Sequence, residues 1–164
     1  IGLLVGKSLE SLKITNSIEY NIKKIITENK KNKIKPKIYF EEWFDPLIIS
    51  IKWVSEIIEI CGGINMISSM KSMSLAKDRI VHNENEIIKF NPDIILVSWC
   101  GKKFKKSSMT KRKNWEYISA IKNNEIHEID SSIILQPGPA ALTDGLKEIN
   151  NIIKKWHNKS IKVK

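Results

Sequence analysis

The chain has 164 residues and a net charge of +10, with 28 lysines and arginines against 18 acidic residues. This length suits one α/β domain with its own core and excludes two full lobes with a hinge, and no apolar stretch reaches the ~20 residues that cross a bilayer. Lys, Ile and Asn are abundant together along the chain, so the charge indicates a compositional bias and nucleic-acid binding is not expected.

The amino-terminal part is predicted to form a long helix. Because the sequence opens at Ile1 and lacks a signal peptide, we interpret it as a fragment of a longer protein. Residues 1–33 contain apolar side chains at helical spacing and then a polar linker. The repeating residues are Ile18, Ile22, Ile25 and Ile26.

A strand and a second helix are predicted next. Residues 34–41 alternate around Ile38 and Phe40 and predict a strand. Asp45 can cap a helix and Pro46 can occupy its first turn, so we place the start of the helix there. Gly62 and Gly63 end it. Its apolar stripe comprises Leu47, Ile51, Val54, Ile58 and Cys61.

The second half repeats this alternation of helix and strand. Asn83 and Glu86 have the spacing of a capping box, for a short helix that ends at Asn91 and Pro92. The apolar run 94–97 is typical of a strand buried on both faces. A lysine-rich loop from Gly101, a short helix at 113–118 and a strand at 125–129 follow. The final helix starts near Pro139 and has an apolar stripe of Leu142, Leu146, Ile149, Ile153 and Trp156.

These elements predict an α/β fold: a small, mostly parallel sheet with helices on both faces, preceded by a long helix. Residues 1–33 form the helix and linker, and residues 34–164 form one lobe.

Three segments are predicted to follow strands at the carboxyl ends of the sheet, where open α/β sheets bind ligands. They contain Trp43 and Phe44, Trp99 and Cys100, and Gln136 and Pro137. A tryptophan beyond a strand end offers a planar, partly apolar ligand a surface with one polar edge. The alternatives are that the tryptophans cover the core and that Gln136 satisfies loop backbone groups. Trp53, Trp115 and Trp156 are assigned to packing.

Catalysis and metal binding find no support in the residue spacing. His82, His127 and His157 are scattered, and no base is placed to activate Cys100, which we expect to be a small buried residue. Glu41 and Glu42 are adjacent in a strand and point to opposite faces, so they cannot act as an acid/base pair. The basic residues of segment 102–113 offer phosphate contacts, although a solvated loop is the preferred interpretation.

Several segments, read together, resemble the periplasmic cobalamin-binding proteins of ABC importers. The likeness runs in order from Lys37 to about Trp156. The segment 91–93 is shared by vitamin B12, haem and siderophore binders and indicates only that class. The segments that point to the cobalamin-binding branch are Glu41-Glu42-Trp43, Ser98-Trp99-Cys100-Gly101-Lys102-Lys103 and Leu135-Gln136-Pro137-Gly138-Pro139.

This resemblance implies a non-enzymatic, monomeric carrier of the periplasm with two lobes, a rigid connecting helix and a corrinoid bound in the cleft. Cobalamin is then the transported ligand, and the permease subunits of an ABC importer are the partner. Glu84 and Glu86 fall where an acidic residue of the family docks onto the permease, although capping of its helix is the preferred interpretation for Glu86. The alternatives are a haem or iron-siderophore carrier of the same fold and, from a different class, an enzyme or nucleic-acid-binding domain.

Overall fold

A five-stranded, mostly parallel sheet forms the centre of the computed structural model, which describes residues 1–66 and 75–162. The strand order is β2-β1-β4-β5, and β3 pairs in parallel with the first residues of β1. β4 is parallel to both β1 and β5, whereas β2 is antiparallel to β1. The strands are β1 (Lys37–Phe44), β2 (Leu47–Ile49), β3 (Ile64–Asn65), β4 (Ile94–Val97) and β5 (Ile126–Glu128).

Helices lie on both faces of this sheet. The α-helices are α1 (Ser8–Asn29), α2 (Lys52–Ile60), α3 (Asn85–Phe90), α4 (Lys106–Thr110), α5 (Ser119–Lys122), α6 (Ser131–Ile134) and α7 (Leu146–Lys162). Single 3-10 turns occur at Ala76–Arg79 and Trp115–Tyr117, and a π-helical turn at Ala141–Gly145 leads into α7.

One face of the sheet, here called the aliphatic face, packs against α2 and α7. Ile22 and Ile25 attach α1 to this cluster, and buried Asn29 of α1 donates from Nδ2 to Asn150 Oδ1 of α7 over 3.1 Å. Branched side chains from the helices and from the alternating positions of the strands pack closely here. The residues of this cluster are all apolar. The cluster is built mainly from Ile38, Phe40, Val54, Ile57, Ile58, Ile94, Leu96, Leu146, Ile149 and Ile153.

The opposite face, here called the aromatic face, is covered by shorter elements. Parts of β2, α3, α4 and α5 and the 3-10 turn at Trp115 pack there. Tyr39 and Trp115 meet edge to face with 5.9 Å between ring centroids. The cluster comprises Tyr39, Leu47, Ile49, Ile87, Ile95, Val97, Trp99, Met109, Trp115, Ile118 and Ala120.

The sequence predicted this architecture correctly: a mostly parallel sheet, helices on both faces and a long initial helix. The end of α2 is also confirmed, since Gly62 adopts a φ of +86° that residues with a Cβ rarely take. The fully buried run of β4 lies between β1 and β5, as a central parallel strand should.

The predicted helix start at Asp45 and Pro46 is wrong. β1 continues to Phe44, and the two residues form the turn that leads into antiparallel β2. Leu47 is buried in the aromatic face and so is not part of a helical stripe. α2 begins at Lys52, one residue after Ile51, whose backbone N–H donates to Glu42 Oε2 over 3.1 Å.

Other boundaries also differ from the predictions. Asn83 Oδ1 accepts from the backbone N–H of Asn85 over 3.1 Å, and Glu86 makes no side-chain cap with the described residues. The predicted lysine-rich loop contains α4, and the predicted helix at 113–118 is only a 3-10 turn. Leu142 is 37% exposed because the wider π-helical turn rotates it away from the core.

Candidate ligand-binding rim

The carboxyl ends of three parallel strands lie side by side. Glu41 of β1 pairs with Val97 of β4, and Val97 pairs with Glu128 of β5. The segments that follow these strands therefore meet at one edge of the sheet. We call segments 43–44, 99–104 and 128–131 the candidate rim.

Four aromatic rings form a continuous row along this rim. Ring centroids lie 5.1 Å apart for Trp43 and Phe44, 4.8 Å for Phe44 and Trp99, and 5.1 Å for Trp99 and Phe104. The ammonium of Lys102 lies 3.7 Å from the centroid of the Phe44 ring, a favourable cation–π distance. The row therefore gives the rim an apolar surface of mutually tilted rings with a positive charge at one point.

An open depression of about 510 Å³ lies beside the row. Its polar side is fixed by Asp130, which accepts from the backbone N–H of Ser132 over 2.8 Å and from the Ser132 hydroxyl over 2.7 Å. These hydrogen bonds lower the pKa of Asp130. The depression is open on one side and suits contact with one side of a ligand. Its lining comprises Trp99, Gly101, Lys102, Glu128, Ile129, Asp130 and Ser131.

The two predicted rim tryptophans differ in how much surface they expose. Trp99 is only 6% exposed, and its Nε1 donates to Glu41 Oε1 over 3.1 Å, so it forms the floor of the rim. Trp43 is half-buried, and its Nε1 donates to the Asp45 carbonyl over 2.9 Å within its own turn. Trp43 and Phe44 therefore keep more ring surface open to a ligand than Trp99 does.

The remaining predicted rim residues are dispersed. Cys100 is exposed, which corrects the expectation of a small buried residue: the chain turns outward after buried Trp99, and Gly101 has a φ of +70°. Gln136 and Pro137 are exposed beyond α6 and do not line the depression. The other cysteine, Cys61, is buried, and burial raises its pKa to about 12. Cys100 is thus the accessible thiol.

A fully buried carboxylate, which the sequence analysis did not assign to any site, lies directly beneath the rim. Besides the Trp99 indole, Glu41 accepts from the Tyr39 hydroxyl over 3.0 Å and from both terminal nitrogens of Arg112, the longer of these two bonds being 2.9 Å. Burial and the charge of Glu41 raise the pKa of Tyr39 well above its usual range. Tyr39 two residues before Glu41, on the same strand face, was the available sequence signal.

Arg112 extends this network away from the rim. Its guanidinium lies 4.5 Å from the centroid of the buried Trp115 ring, and Trp115 Nε1 donates to Glu84 Oε2 over 2.9 Å. Burial lowers the pKa of Arg112, but the hydrogen bonds and charge of Glu41 outweigh it, so the pKa is raised overall. The sequence suggested that Arg112 belongs to a solvated, lysine-rich loop. The structure corrects this, because its guanidinium is bound to Glu41 and packed on Trp115.

The two residues predicted to dock onto a permease lie on the outer surface around the start of α3. Both are exposed; the Glu84 carboxylate is oriented by Trp115, whereas Glu86 has no such bond in the described part of the chain. Glu84 borders an open depression of about 520 Å³ together with His82, Asn83, Asn85, Ile88, Arg112, Lys113 and Asn114.

A second buried arginine–carboxylate pair joins Arg79 to Glu42. Arg79 Nη2 donates to Glu42 Oε1 over 3.1 Å, and Nη1 reaches the Ile49 carbonyl. Glu42 shares none of the partners of Glu41, as expected for neighbours that point to opposite faces of a strand. The predicted placement of the two glutamates on opposite faces of the strand is therefore what the structure has.

Comparison with protein families identifies the family of the chain. Residues 1–133 match the family described as "Periplasmic binding protein". The chain belongs to this family. Periplasmic binding proteins are non-catalytic components of transport, so the enzymatic alternative is set aside.

Solved structures of periplasmic binding proteins have the same fold. An ABC-transporter substrate-binding protein of Listeria monocytogenes superposes with a TM-score of 0.76 at 19% identity, covering 93% of this chain and 60% of that one. The haem complex of IsdE from Staphylococcus aureus gives 0.72 at 17%, covering 93% and 60%. The vitamin B12 binding protein BtuF of Vibrio cholerae gives 0.62 at 16%, covering 85% and 51%.

The chain spans about 60% of the length of the first of these structures. No curated protein matches it significantly in sequence. In the described part of the chain, no helix is long and apolar enough to cross a membrane, and no three His, Cys, Asp or Glu residues are grouped to hold a metal ion.

Proposed function

We propose that this chain is the carboxyl-terminal lobe, with its connecting helix, of the substrate-binding protein of an ABC importer, and that its ligand is cobalamin or a related corrinoid. Residues 1–33 are then the connecting helix and linker, and residues 34–164 the lobe. The ligand lies in a cleft between this lobe and an amino-terminal lobe, and the protein acts as a monomer in the periplasm.

The observation that carries this proposal is the row of aromatic rings on the candidate rim. Trp43 and Phe44 stack against the ligand from their half-buried positions, and Trp99 forms the floor beneath them. A corrin ring is broad, planar and largely apolar, so burying it on these rings contributes about 25 cal/mol per Å². Amides at the corrin edge meet the polar side of the depression. Gln136, Pro137 and Cys100, which lie outside the depression, contact the periphery of the corrinoid.

Haem and iron siderophores are the alternative ligands for a protein of this fold. Structurally similar proteins include a haem complex, a vitamin B12 binding protein and a protein of an Fe³⁺-hydroxamate transport system. Haem iron needs an axial ligand such as His, Tyr, Met or Cys from the protein. On the candidate rim, the described residues offer Cys100 alone for that role. Corrinoid binding by stacking needs no such ligand. We favour it because the segments around Trp43, Trp99 and Gln136 resemble those of the cobalamin-binding proteins.

Glu84 is the residue proposed to dock onto the permease, with Glu86 beside it. The Trp115 indole holds the Glu84 carboxylate at the outer surface. A carboxylate oriented in this way meets a cationic partner with less side-chain entropy to lose, and the charge pair sets orientation and association rate more than affinity.

Ligand titration tests the proposal. Cyanocobalamin, haem and a ferric siderophore are each titrated into the chain, alone and joined to an amino-terminal lobe of the family, while tryptophan fluorescence is followed. We expect saturable quenching at about micromolar cyanocobalamin. The proposed ligand is wrong if haem or the siderophore binds more tightly, or if cyanocobalamin does not quench either form.

Matched tryptophan variants locate the binding surface. Trp43→Ala on the rim is expected to weaken cyanocobalamin binding about tenfold, as is usual for losing one aromatic contact. Trp156→Ala, a partly buried tryptophan on the aliphatic face, is the control and leaves affinity unchanged.

The accessible thiol supplies an independent readout. Bound cyanocobalamin should slow the reaction of Cys100 with a thiol reagent, whereas Cys61 stays unreactive with and without ligand because burial raises its pKa to about 12. Equal reaction rates in the two states would place the ligand elsewhere.

A further inference from the structure

We propose that Arg112 is a positioning residue that holds both Trp99 on the candidate rim and Glu84 on the outer surface. This inference rests on the proposed function for its meaning, but the contacts that carry it are independent of any ligand. Arg112 lies between the two groups and reaches each through one intermediate, Glu41 on one side and Trp115 on the other.

The contact towards the rim runs through Glu41. The two terminal nitrogens of Arg112 donate to the two oxygens of this carboxylate, a bidentate arrangement that fixes its plane. Glu41 Oε1 accepts from the Trp99 indole over 3.1 Å, and the whole carboxylate is shielded from water. With the acceptor fixed, the indole has one preferred orientation, and its ring becomes a rigid floor for the rim.

The contact towards the outer surface runs through Trp115. The guanidinium of Arg112 stacks on this ring at 4.5 Å from its centroid, and Trp115 is fully buried. The Trp115 indole then donates to Glu84 Oε2 over 2.9 Å, which orients an otherwise exposed carboxylate. Arg112 also lines the depression that Glu84 borders.

This arrangement needs the shape of arginine as well as its charge. A lysine at position 112 keeps the positive charge near Glu41 but cannot donate to both oxygens in one plane or stack a flat cation on Trp115. Arg112→Lys therefore separates positioning from simple charge balance. If Arg112 served only to neutralise a buried carboxylate, lysine would be an adequate replacement.

Indole N–H signals in a ¹H–¹⁵N spectrum test the proposal without any ligand. The chain has five tryptophans, and Trp→Phe variants assign their signals. In Arg112→Lys we expect the Trp99 and Trp115 signals to move and those of Trp53 and Trp156, which pack on the aliphatic face, to stay. The Trp53 indole is the internal control, because it donates to the Ile134 carbonyl over 3.0 Å on the opposite face of the sheet.

Two further variants keep the test decisive. Glu41→Gln preserves the shape of the side chain but removes its charge, and it should move the Trp99 signal more than the Trp115 signal. Arg79→Lys makes the same exchange in the second buried arginine–carboxylate pair and should leave both signals in place. The proposal is overturned if Trp99 and Trp115 keep their positions in Arg112→Lys, or if all five signals move together.

Ligand binding then separates this inference from the proposed function. If cyanocobalamin binds the native chain, Arg112→Lys should weaken it about tenfold, the effect of one charge-assisted hydrogen bond. An unchanged affinity contradicts the role of Arg112 at the rim. If cyanocobalamin does not bind the native chain, the proposed ligand fails, and the indole signals alone decide whether Arg112 positions the two groups.

Discussion

The two faces of the sheet solve the same packing problem with different chemistry. The aliphatic face consists largely of branched side chains on two regular helices, α2 and α7. The aromatic face uses short elements, large rings and a buried cluster of Tyr39, Glu41, Arg112 and Trp115. The difference indicates that stability on one face depends on shape and volume, and on the other on satisfied polar groups.

Breaking the buried ion pair of the aromatic face is expected to have the largest effect on stability. Arg112→Met leaves the Glu41 carboxylate buried without its cation, which should lower the free energy of unfolding by about 4 kcal/mol. Chemical denaturation followed by far-UV circular dichroism measures it. The neighbouring exposed residue provides the control, since Lys113→Met should cost no more than about 0.5 kcal/mol. Similar losses for both variants would mean that the pair contributes little.

A cavity in the aliphatic face should cost slightly less. Ile58 in α2 is fully buried, and Ile58→Ala is expected to lower the free energy of unfolding by about 3 kcal/mol through lost burial and an unfilled cavity. Ile64→Ala removes the same atoms from a side chain that is 40% exposed and should cost less than about 1 kcal/mol. The same denaturation experiment compares them, and equal costs would refute close packing at Ile58.

Breaking the polar contact between α1 and α7 is expected to have the next largest effect on the free energy of unfolding. Asn29→Ala leaves Asn150 without its buried donor, and we expect a loss of about 1.5 kcal/mol. In a double-mutant cycle, Asn29→Ala combined with Asn150→Ala should cost about 1 kcal/mol less than the sum of the single variants. Full additivity would show that the two amides do not interact.

The smallest expected effect concerns pH at the outer edge of the sheet. Burial opposes ionisation of Glu125, but hydrogen bonds from Lys159 and His127 outweigh it and lower its pKa from the ordinary value of 4.5. The carboxylate therefore contributes stability above the unfolded pKa, and that contribution is lost as pH falls through the lower folded pKa. Thermal unfolding measured from neutral to acid pH should show a shallower acid decline in Glu125→Gln. An unchanged acid decline would contradict the assignment.

The contrast between the faces also explains what the sequence could predict. Repeating apolar spacing located α1, α7 and most of α2, because a helix satisfies its backbone internally and buries one regular stripe. The uninterrupted apolar run located β4, a central strand buried on both faces. The helix start predicted at Asp45 and Pro46 was wrong because a turn between antiparallel strands and a helix start use the same residue types. That choice was settled by the pairing of β2 with β1, a tertiary contact.

The candidate site was predictable only in part. Strand-end position located Trp43 and Trp99 on one rim, since the carboxyl ends of parallel strands meet at one edge. The role of Glu41 depends on Arg112, which is 71 residues away and lies within a lysine-rich segment that looks uniform. Local spacing cannot distinguish such a residue from its solvated neighbours. The exposed positions of Gln136 and Cys100 likewise follow from how the chain turns after α6 and β4.

The shortness of β5 has a consequence for self-association. β5 ends the sheet in the described part of the chain, has only three residues, and contains His127 and Glu128 within it. An unpaired strand edge is a template for another chain, and a short edge with charged or titratable side chains is a poor one. This edge therefore discourages aggregation by strand addition.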